Sequence, residues 1–428
     1  MISATTTLRN LPEPVRLQRL EALVVASETL NRAASLDDIL QAILELIPAQ
    51  LDCDRATVFL SDRRTGKIHA RRMTGSRHLH IILEKGTGIA GYVAETGESL
   101  IINDVQADSR FDPTTDLKTG YKTETMLCVP LRKTEDELLG ALQAINAKRG
   151  EFTREELVYL ESFAAVAAVA VEREQLAQEA MRAHRLTTEL ELARKIQQRL
   201  LPPSGDINLP APYCAWGHSQ ACYDVGGDTY DALMLPGGEC AFWVADVSGK
   251  GIGAALLMTT LQTELRALVR AESDLGRLAA ELNSRVNTVA PLGTYATMFL
   301  GIVSAERESM RFVNAGHLPP IWLNTDKAQE RSLDAGGMPV GLLPGTSYEA
   351  GETEFKAGER LVLFSDGVTD AENTENEQYD FERLHACRDA INENEVSKIG
   401  AALLADLDRF RIGAPNYDDT TYLIVGHS

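Results

Sequence analysis

An α+β chain of two domains joined by a long helix is predicted by three observations. Helical, strand-like, short helical and further strand-like runs fill roughly residues 20–172. A long helical pattern follows and ends at Pro202-Pro203. Beyond it, strand runs and helix runs are segregated, which favours stacked sheets covered by helices over a doubly wound parallel sheet. A length of 428 residues also suits two domains better than one. The expected boundaries are a tail over 1–19, a first domain over 20–172, a helical linker over 173–205 and a second domain over 206–428.

In the first domain Leu20, Leu23, Val24, Leu30, Ile39, Ile43 and Ile47 recur at helical spacing over residues 20–51. Strand-like runs follow at 56–60, 67–72, 100–102, 126–131 and 138–145. Gly86-Thr87-Gly88-Ile89-Ala90-Gly91 opens a short helix among them. The long helical pattern runs from about 153 to 201, and Thr153 with Glu156 gives it a capping box. Its first part, with Leu157, Leu160, Phe163, Val166 and Val171, is expected to pack on the first domain, and 172–184 is polar. Leu186, Leu190, Ala193, Ile196 or Gln197, and Leu200 then form a stripe at 3–4 spacing. That stripe suits a coiled coil with a second copy of the chain, hence a homodimer; a lone helix against its own domain is the alternative. From Pro210 onward, strand runs at 240–245, 295–304, 310–315, 361–365 and 420–425 surround helices at 252–271 and 273–288, with two more near 381–392 and 396–410.

Composition narrows the function classes. Hydrophobic content of 44% and charged content of 24% are ordinary for a soluble globular chain. A net charge of −20 argues against unaided binding to nucleic acid or an anionic membrane, though not against a local basic patch. None of the six cysteines, Cys53, Cys128, Cys214, Cys222, Cys240 and Cys387, forms a C-x-x-C pair, which speaks for buried free thiols rather than zinc. Arg9, Glu13, Arg16 and Arg19 interrupt any signal-peptide core, and the small-apolar run 163–171 is far short of the ~20 residues a membrane span needs. A cytoplasmic protein is expected.

Four acidic motifs carry the chemistry: Gly226-Gly227-Asp228-Thr229-Tyr230-Asp231, Ala245-Asp246-Val247-Ser248-Gly249-Lys250-Gly251, Phe364-Ser365-Asp366-Gly367 and Asp418-Asp419-Thr420-Thr421. Any one Asp-Gly is explained by a turn. Together they bring several carboxylates toward a shared point, where they would repel unless a cation lay between them. Hard oxygen ligands suit Mg²⁺ or Mn²⁺, so the set points to a two-metal hydrolytic site. Asp246 and Asp366 follow apolar strands, a rigid mount for ligands, and Asp418 is expected to start the last strand. Gly249-Lys250-Gly251-Ile252-Gly253 lacks the spacing of a phosphate-binding P-loop.

On these motifs, with Asn314-Ala315-Gly316-His317-Leu318-Pro319-Pro320 and the linker stretch 189–203, the chain over 186–428 resembles the SpoIIE-like branch of the metal-dependent (PPM) protein phosphatases. The resemblance implies a β-sandwich flanked by helices and two Mn²⁺ or Mg²⁺ ions. It implies that Asp228 and Asp246 hold the metal pair and are catalytic, Asp246 bridging and the Val247 carbonyl contributing. Asp366 with Asp418, or alternatively Asp419, would complete the second metal. A metal-activated water would attack phosphorus without a phosphoenzyme. No general acid is assigned: His317 is a candidate, weighed against a structural role, and no phosphate-gripping Arg of the eukaryotic kind is evident.

The stretch 83–104, followed by Asp108-Ser109-Arg110-Phe111, Thr119-Gly120-Tyr121-Lys122 and Met126-Leu127-Cys128-Val129-Pro130-Leu131, resembles a GAF domain, a small-molecule sensor fold. It is also similar to cyclic-nucleotide-binding GAF domains, but their Asn-Lys…Phe-x-x-x-Asp-Glu signature is met only by Asn146, Phe152 and Glu156, with Ala147 and Leu157 out of pattern. A cyclic nucleotide, another small ligand, a protein signal or a purely dimerising role stay open. The whole implies a signal-regulated protein serine/threonine phosphatase, acting on a phosphorylated STAS-domain protein such as an anti-anti-sigma factor. A non-catalytic phosphatase-like module that sequesters a partner is the alternative, and a small-phosphoester hydrolase a third.

Overall fold

The computed structural model describes residues 12–62, 65–73, 81–133, 137–323, 331–391 and 393–427. The chain divides into two compact units, Met1–His184 and Arg185–Ser428. Part of the expected tail, 1–11, lies outside the described residues; from Glu13 on it is helical.

In the first unit, helix α1 (Glu13–Arg32) starts where Pro sits in the first turn, a position that tolerates its missing N–H. The helical run read through to residue 51 is broken: a second helix, α2 (Leu36–Leu51), begins at Ser35, whose hydroxyl accepts the Asp38 N–H at 3.2 Å. Six strands follow: β1 (Cys53–Ser61), β2 (Lys67–Met73), β3 (Ile82–Glu84), β4 (Leu100–Ile102), β5 (Met126–Arg132) and β6 (Leu138–Ala147). They form an antiparallel sheet in the order β3-β2-β1-β6-β5-β4. Alternation along β1 sends Val58 and Leu60 to one core and Phe59 to the other. Helix α3 (Gly88–Thr96) supplies Ile89, Val93 and Ala94 to the second core, near the short helix α4 (Thr114–Thr119).

Helix α5 (Arg154–Gln198) runs on from this unit. Its capping box is formed: the Thr153 N–H donates to Glu156 Oε2 at 2.8 Å and the Glu156 N–H to Thr153 Oγ1 at 3.3 Å. Leu160, Phe163, Ala167 and Val171 are buried in the first core, whereas Leu176, Met181, Leu186, Leu192 and Ile196 are exposed.

The second unit is a sandwich of two sheets. One joins β9 (Thr229–Met234), β10 (Cys240–Val247), β11 (Ala296–Ser304), β12 (Ser309–Ala315) and β14 (Gly336–Gly337), with β15 (Gly351–Glu354) also on β12. The other is ordered β13 (Ile321–Leu323), β16 (Arg360–Phe364), β17 (Thr420–His427), β8 (Tyr213–Gln220) and β7 (Gly205–Ile207). Phe242, Phe299, Phe312, Leu361, Leu363, Leu423 and Val425 fill the space between the sheets. Helices α6 (Ile252–Ala271) and α7 (Leu275–Val289) cover the outer face of the first sheet. After the one-turn α8 (Asp366–Thr369), α9 (Asp380–Ala390) and α10 (Val396–Phe410) cover the second.

Strands β8 and β9 were not anticipated. Gly217, His218, Ser219 and Gln220 break the apolar pattern of β8. Gly217 is nonetheless packed, since a Cβ there would lie 2.1 Å from the Tyr230 ring. The last strand begins at Thr420, so Asp418 and Asp419 belong to the preceding turn rather than opening the strand. All six cysteines are free, with Cys214, Cys222 and Cys387 only half-buried. Among the described residues no helix is long and apolar enough to cross a membrane.

Candidate metal centre

Strand register brings the first two acids together. Thr229 pairs with Ala245 across β9 and β10, which sets Asp228 opposite Asp246. The second sheet supplies the rest: Phe364 pairs with Tyr422, so Asp366 follows one strand beside the turn that precedes the other. Ser365 ties these ends, its hydroxyl donating to the Asp419 carbonyl at 3.1 Å and accepting the Thr421 N–H at 3.0 Å. Gly367 is required there, because a Cβ would stand 2.1 Å from the Asp419 carbonyl oxygen. The acids therefore meet at one end of the sandwich, two from one sheet and three from the other.

Asp228 is 3% exposed, and its Oδ2 has no hydrogen-bond partner among the described residues. Burial, then the charges of Asp246 and Asp419, hold its carboxyl well above the usual range. Burial first, then Asp366 and Asp418, push Asp246 up to about 7. Asp366 is raised by burial and by Asp418. Such a cluster is costly as it stands and stabilised by divalent cations among it. All of these donors are hard oxygens, so the residues present fit Mg²⁺ or Mn²⁺.

Asp418 and Asp419 are used differently. Asp419 Oδ1 accepts the Cys222 N–H at 2.8 Å and Oδ2 the Gly227 N–H at 2.5 Å, so its carboxylate holds the loop before Asp228. Asp418 Oδ1 accepts the Asp419 N–H at 2.9 Å, and its Oδ2 lies 2.8 Å from the Lys250 ammonium. Lys250 also donates to the Tyr417 carbonyl. The Val247 carbonyl faces Gly227, where a Cβ would come within 3.1 Å of it.

Among the neighbours, Cys222 and Gln262 carry no sequence signal of their own. Cys222 Sγ lies with the carboxylate oxygens of Asp418 and Asp419 inside 4.8 Å, the one such grouping among the described residues. Burial and those two acids push its thiol up to about 11, so it stays neutral and is a poor ligand for a hard ion. Asp231, in the first motif, points away from the centre. It accepts from Gln262 Nε2 at 2.9 Å and pairs with Arg266 at 2.5 Å. Gln262 Oε1 in turn accepts from Thr229 and Trp243, fastening α6 beneath the site. His317 is 7% exposed and bonds Thr297 at 2.8 Å, and burial pushes its imidazole down to about 4. Burial favours the uncharged form of such a ring near neutral pH.

In the first unit a cavity of about 90 Å³ is lined by Phe59, Ile89, Phe111, Asp116, Met126 and Gln143, among others. Small-molecule pockets usually run from about 300 Å³, so a cyclic nucleotide would require this cavity to widen. Asn146 is occupied otherwise: at φ 56° it accepts from Glu124 N–H at 2.8 Å and donates to the Lys122 carbonyl at 2.9 Å, bracing the turn before β5. Lys148 pairs with Asp52 at 3.2 Å.

Residues 35–171 match the GAF domain model, and residues 236–428 match the model described as Stage II sporulation protein E (SpoIIE). Protein IcfG of Synechocystis sp. (strain ATCC 27184 / PCC 6803 / Kazusa) is 27% identical over 55% of this chain and 41% of its own length. Phosphoserine phosphatase RsbU of Bacillus subtilis (strain 168) is 26% identical over 56% of this chain and 70% of its own. The chain thus spans less than half the length of the first of these relatives. The SiaA-PP2C domain of Pseudomonas aeruginosa superposes with a TM-score of 0.50 at 19% identity, covering 58% of this chain and all (100%) of that domain, a likeness of fold.

Proposed function

We propose that this chain, which carries a GAF domain and a SpoIIE-type PPM phosphatase domain, is a signal-regulated protein serine/threonine phosphatase. The observation that carries the reading is the meeting of Asp228, Asp246, Asp366 and Asp418 at one end of the sandwich, with Asp228 Oδ2 buried and without a hydrogen-bond partner among the described residues. Two Mn²⁺ or Mg²⁺ ions held there, by Asp228 and Asp246 with the Val247 carbonyl and by Asp366 with Asp418, would supply an activated water and offset charge on the phosphoryl oxygens. The chain's own groups do the positioning. Asp419 fixes the loop before Asp228 through two backbone amides. Lys250, beside Asp418, offers a cation to the phosphoryl group.

A protein substrate is favoured over a small phosphoester. The clefts beside Asp418 and Asp228 measure only about 60 and 140 Å³, too little to enclose a small molecule. The phosphoserine phosphatase among the relatives supports a phosphoserine protein, of which a STAS-domain anti-anti-sigma factor is our choice. The exposed Leu186 and Ile196 of the stripe support a homodimer through α5. On this reading the GAF domain acts on the metal centre along that helix. The experiment is phosphate release from a phosphoserine STAS-domain protein with Mn²⁺. Asp246→Asn and Asp366→Asn should each lose more than the ~10–100-fold that a mere supporting residue costs. Unchanged turnover in both variants would reject the assignment in favour of a module that sequesters its partner.

A further inference from the structure

Gln197 lies in the last turn of α5 and is 8% exposed. Both polar atoms of its side chain meet one residue. Nε2 donates to the Gly226 carbonyl at 2.7 Å, and Oε1 accepts the Gly226 N–H at 3.1 Å. A primary amide that closes on both groups of a single residue fixes the peptide planes on either side of it. The next peptide N–H, from Gly227, goes to Asp419 Oδ2, and Asp228 follows. The loop 222–228 is therefore held by two side chains, one from the acidic cluster and one from the helix. The helix end is itself anchored: Leu200 O accepts from Gln262 at 3.2 Å, and Pro202 O from the Tyr230 hydroxyl at 2.9 Å.

We infer that Gln197 is a positioning residue of the metal centre, its reciprocal hydrogen bonds to Gly226 setting where Asp228 stands, so that divalent-ion affinity depends on the orientation of the last turn of α5. The inference rests on the reading of Asp228 as a metal ligand. Neighbouring helix positions differ by about 100° in direction at 3.6 residues per turn. A rotation of α5 by a fraction of that carries the amide off Gly226. Ile196 cannot replace it, being apolar and 57% exposed.

The test uses the full chain with Gln197→Met, close in length but unable to hydrogen-bond, and Gln198→Met, the exposed neighbour, as control. Mn²⁺ affinity is measured by calorimetry. Backbone hydrogen exchange of 222–228 is followed in chelator, where no metal contributes. Gln197→Met should bind Mn²⁺ about 10-fold or more weakly, the usual loss when a residue supporting a ligand is removed. Its exchange should quicken at 222–228 while β10 and β11 stay protected, and Gln198→Met should do neither. Mn²⁺ affinity within twofold of the parent, or exchange quickened across the whole sandwich, would overturn the proposal. A parent that binds Mn²⁺ and protects the loop yet hydrolyses no phosphoserine removes the phosphatase reading and leaves this one standing; a parent that binds no Mn²⁺ removes both.

Discussion

Asp246 is a carboxyl placed where it is hard to ionise. Its ordinary value of 3.8 rises to about 7 through burial and through Asp366 and Asp418, and Asp228 is raised as well. A carboxyl raised on folding binds its proton more tightly in the folded state. Its stabilisation is full below the unfolded value and is lost as pH climbs through the folded one, here between about pH 4 and 7. At 1.36 kcal/mol per unit this amounts to at most about 4 kcal/mol. Metal-free Asp246→Asn should therefore melt above the parent at pH 8, with the gap closing toward pH 4. Titrations that do not feel Asp246, such as that of His317, are shared by the two proteins and cancel, while Asp228, relieved of the Asp246 charge, ionises more easily and widens the gap at high pH in the same direction. Equal melting temperatures at both pH values would contradict this account. Asp228, Asp246 and Asp366 were legible in the sequence because glycine or a strand end marks each, and Asp418 because it stands in the Asp418-Asp419-Thr420-Thr421 motif. Gln197, Gln262 and Cys222 were not, because their partners lie 19 or more residues away along the chain.

At the scale of elements, β16, α8 and the start of β17 form one rigid corner. Gly367 lets α8 pass beneath the Asp419 carbonyl, with no room for a methyl at 2.1 Å. Gly367→Ala should displace the Asp418–Asp419 turn and weaken Mn²⁺ binding at least about 10-fold, as removal of a support does; calorimetry on the folded variant checks it. Helix α5 shows how far periodicity can be read. Its capping box and apolar first half were expected and are present. The stripe left Ile196 and Gln197 as alternatives, and burial separates them: Ile196 is exposed and Gln197 is inside. Leu186→Glu with Ile196→Glu should therefore shift a dimer to monomer in sedimentation at unchanged helix content. A monomeric parent would reject the dimer.

At the scale of the molecule, the two units have separate cores and only the second holds the acidic cluster. A ligand that binds one folded unit stabilises that unit alone. Mn²⁺ at about 100 times its dissociation constant adds about 2.7 kcal/mol. Scanning calorimetry should accordingly show one transition moved upward by Mn²⁺ and another left in place. A shift of both by the same amount would mean that the units unfold together.

The sequence by itself determined the α+β class and the order of domain types, and it singled out the acids proposed for the centre. Those rest on local periodicity and on residues whose chemistry is written beside them. Only the tertiary structure decided that Asp419 spends both oxygens on the loop at 222–227 and that Asp231 anchors α6. It alone showed the amide of the last α5 turn closing on Gly226. These are contacts between residues far apart in the chain. A carboxylate or an amide has the same formula whether it meets a metal, a backbone N–H or water, and the packing of the elements selects its partner.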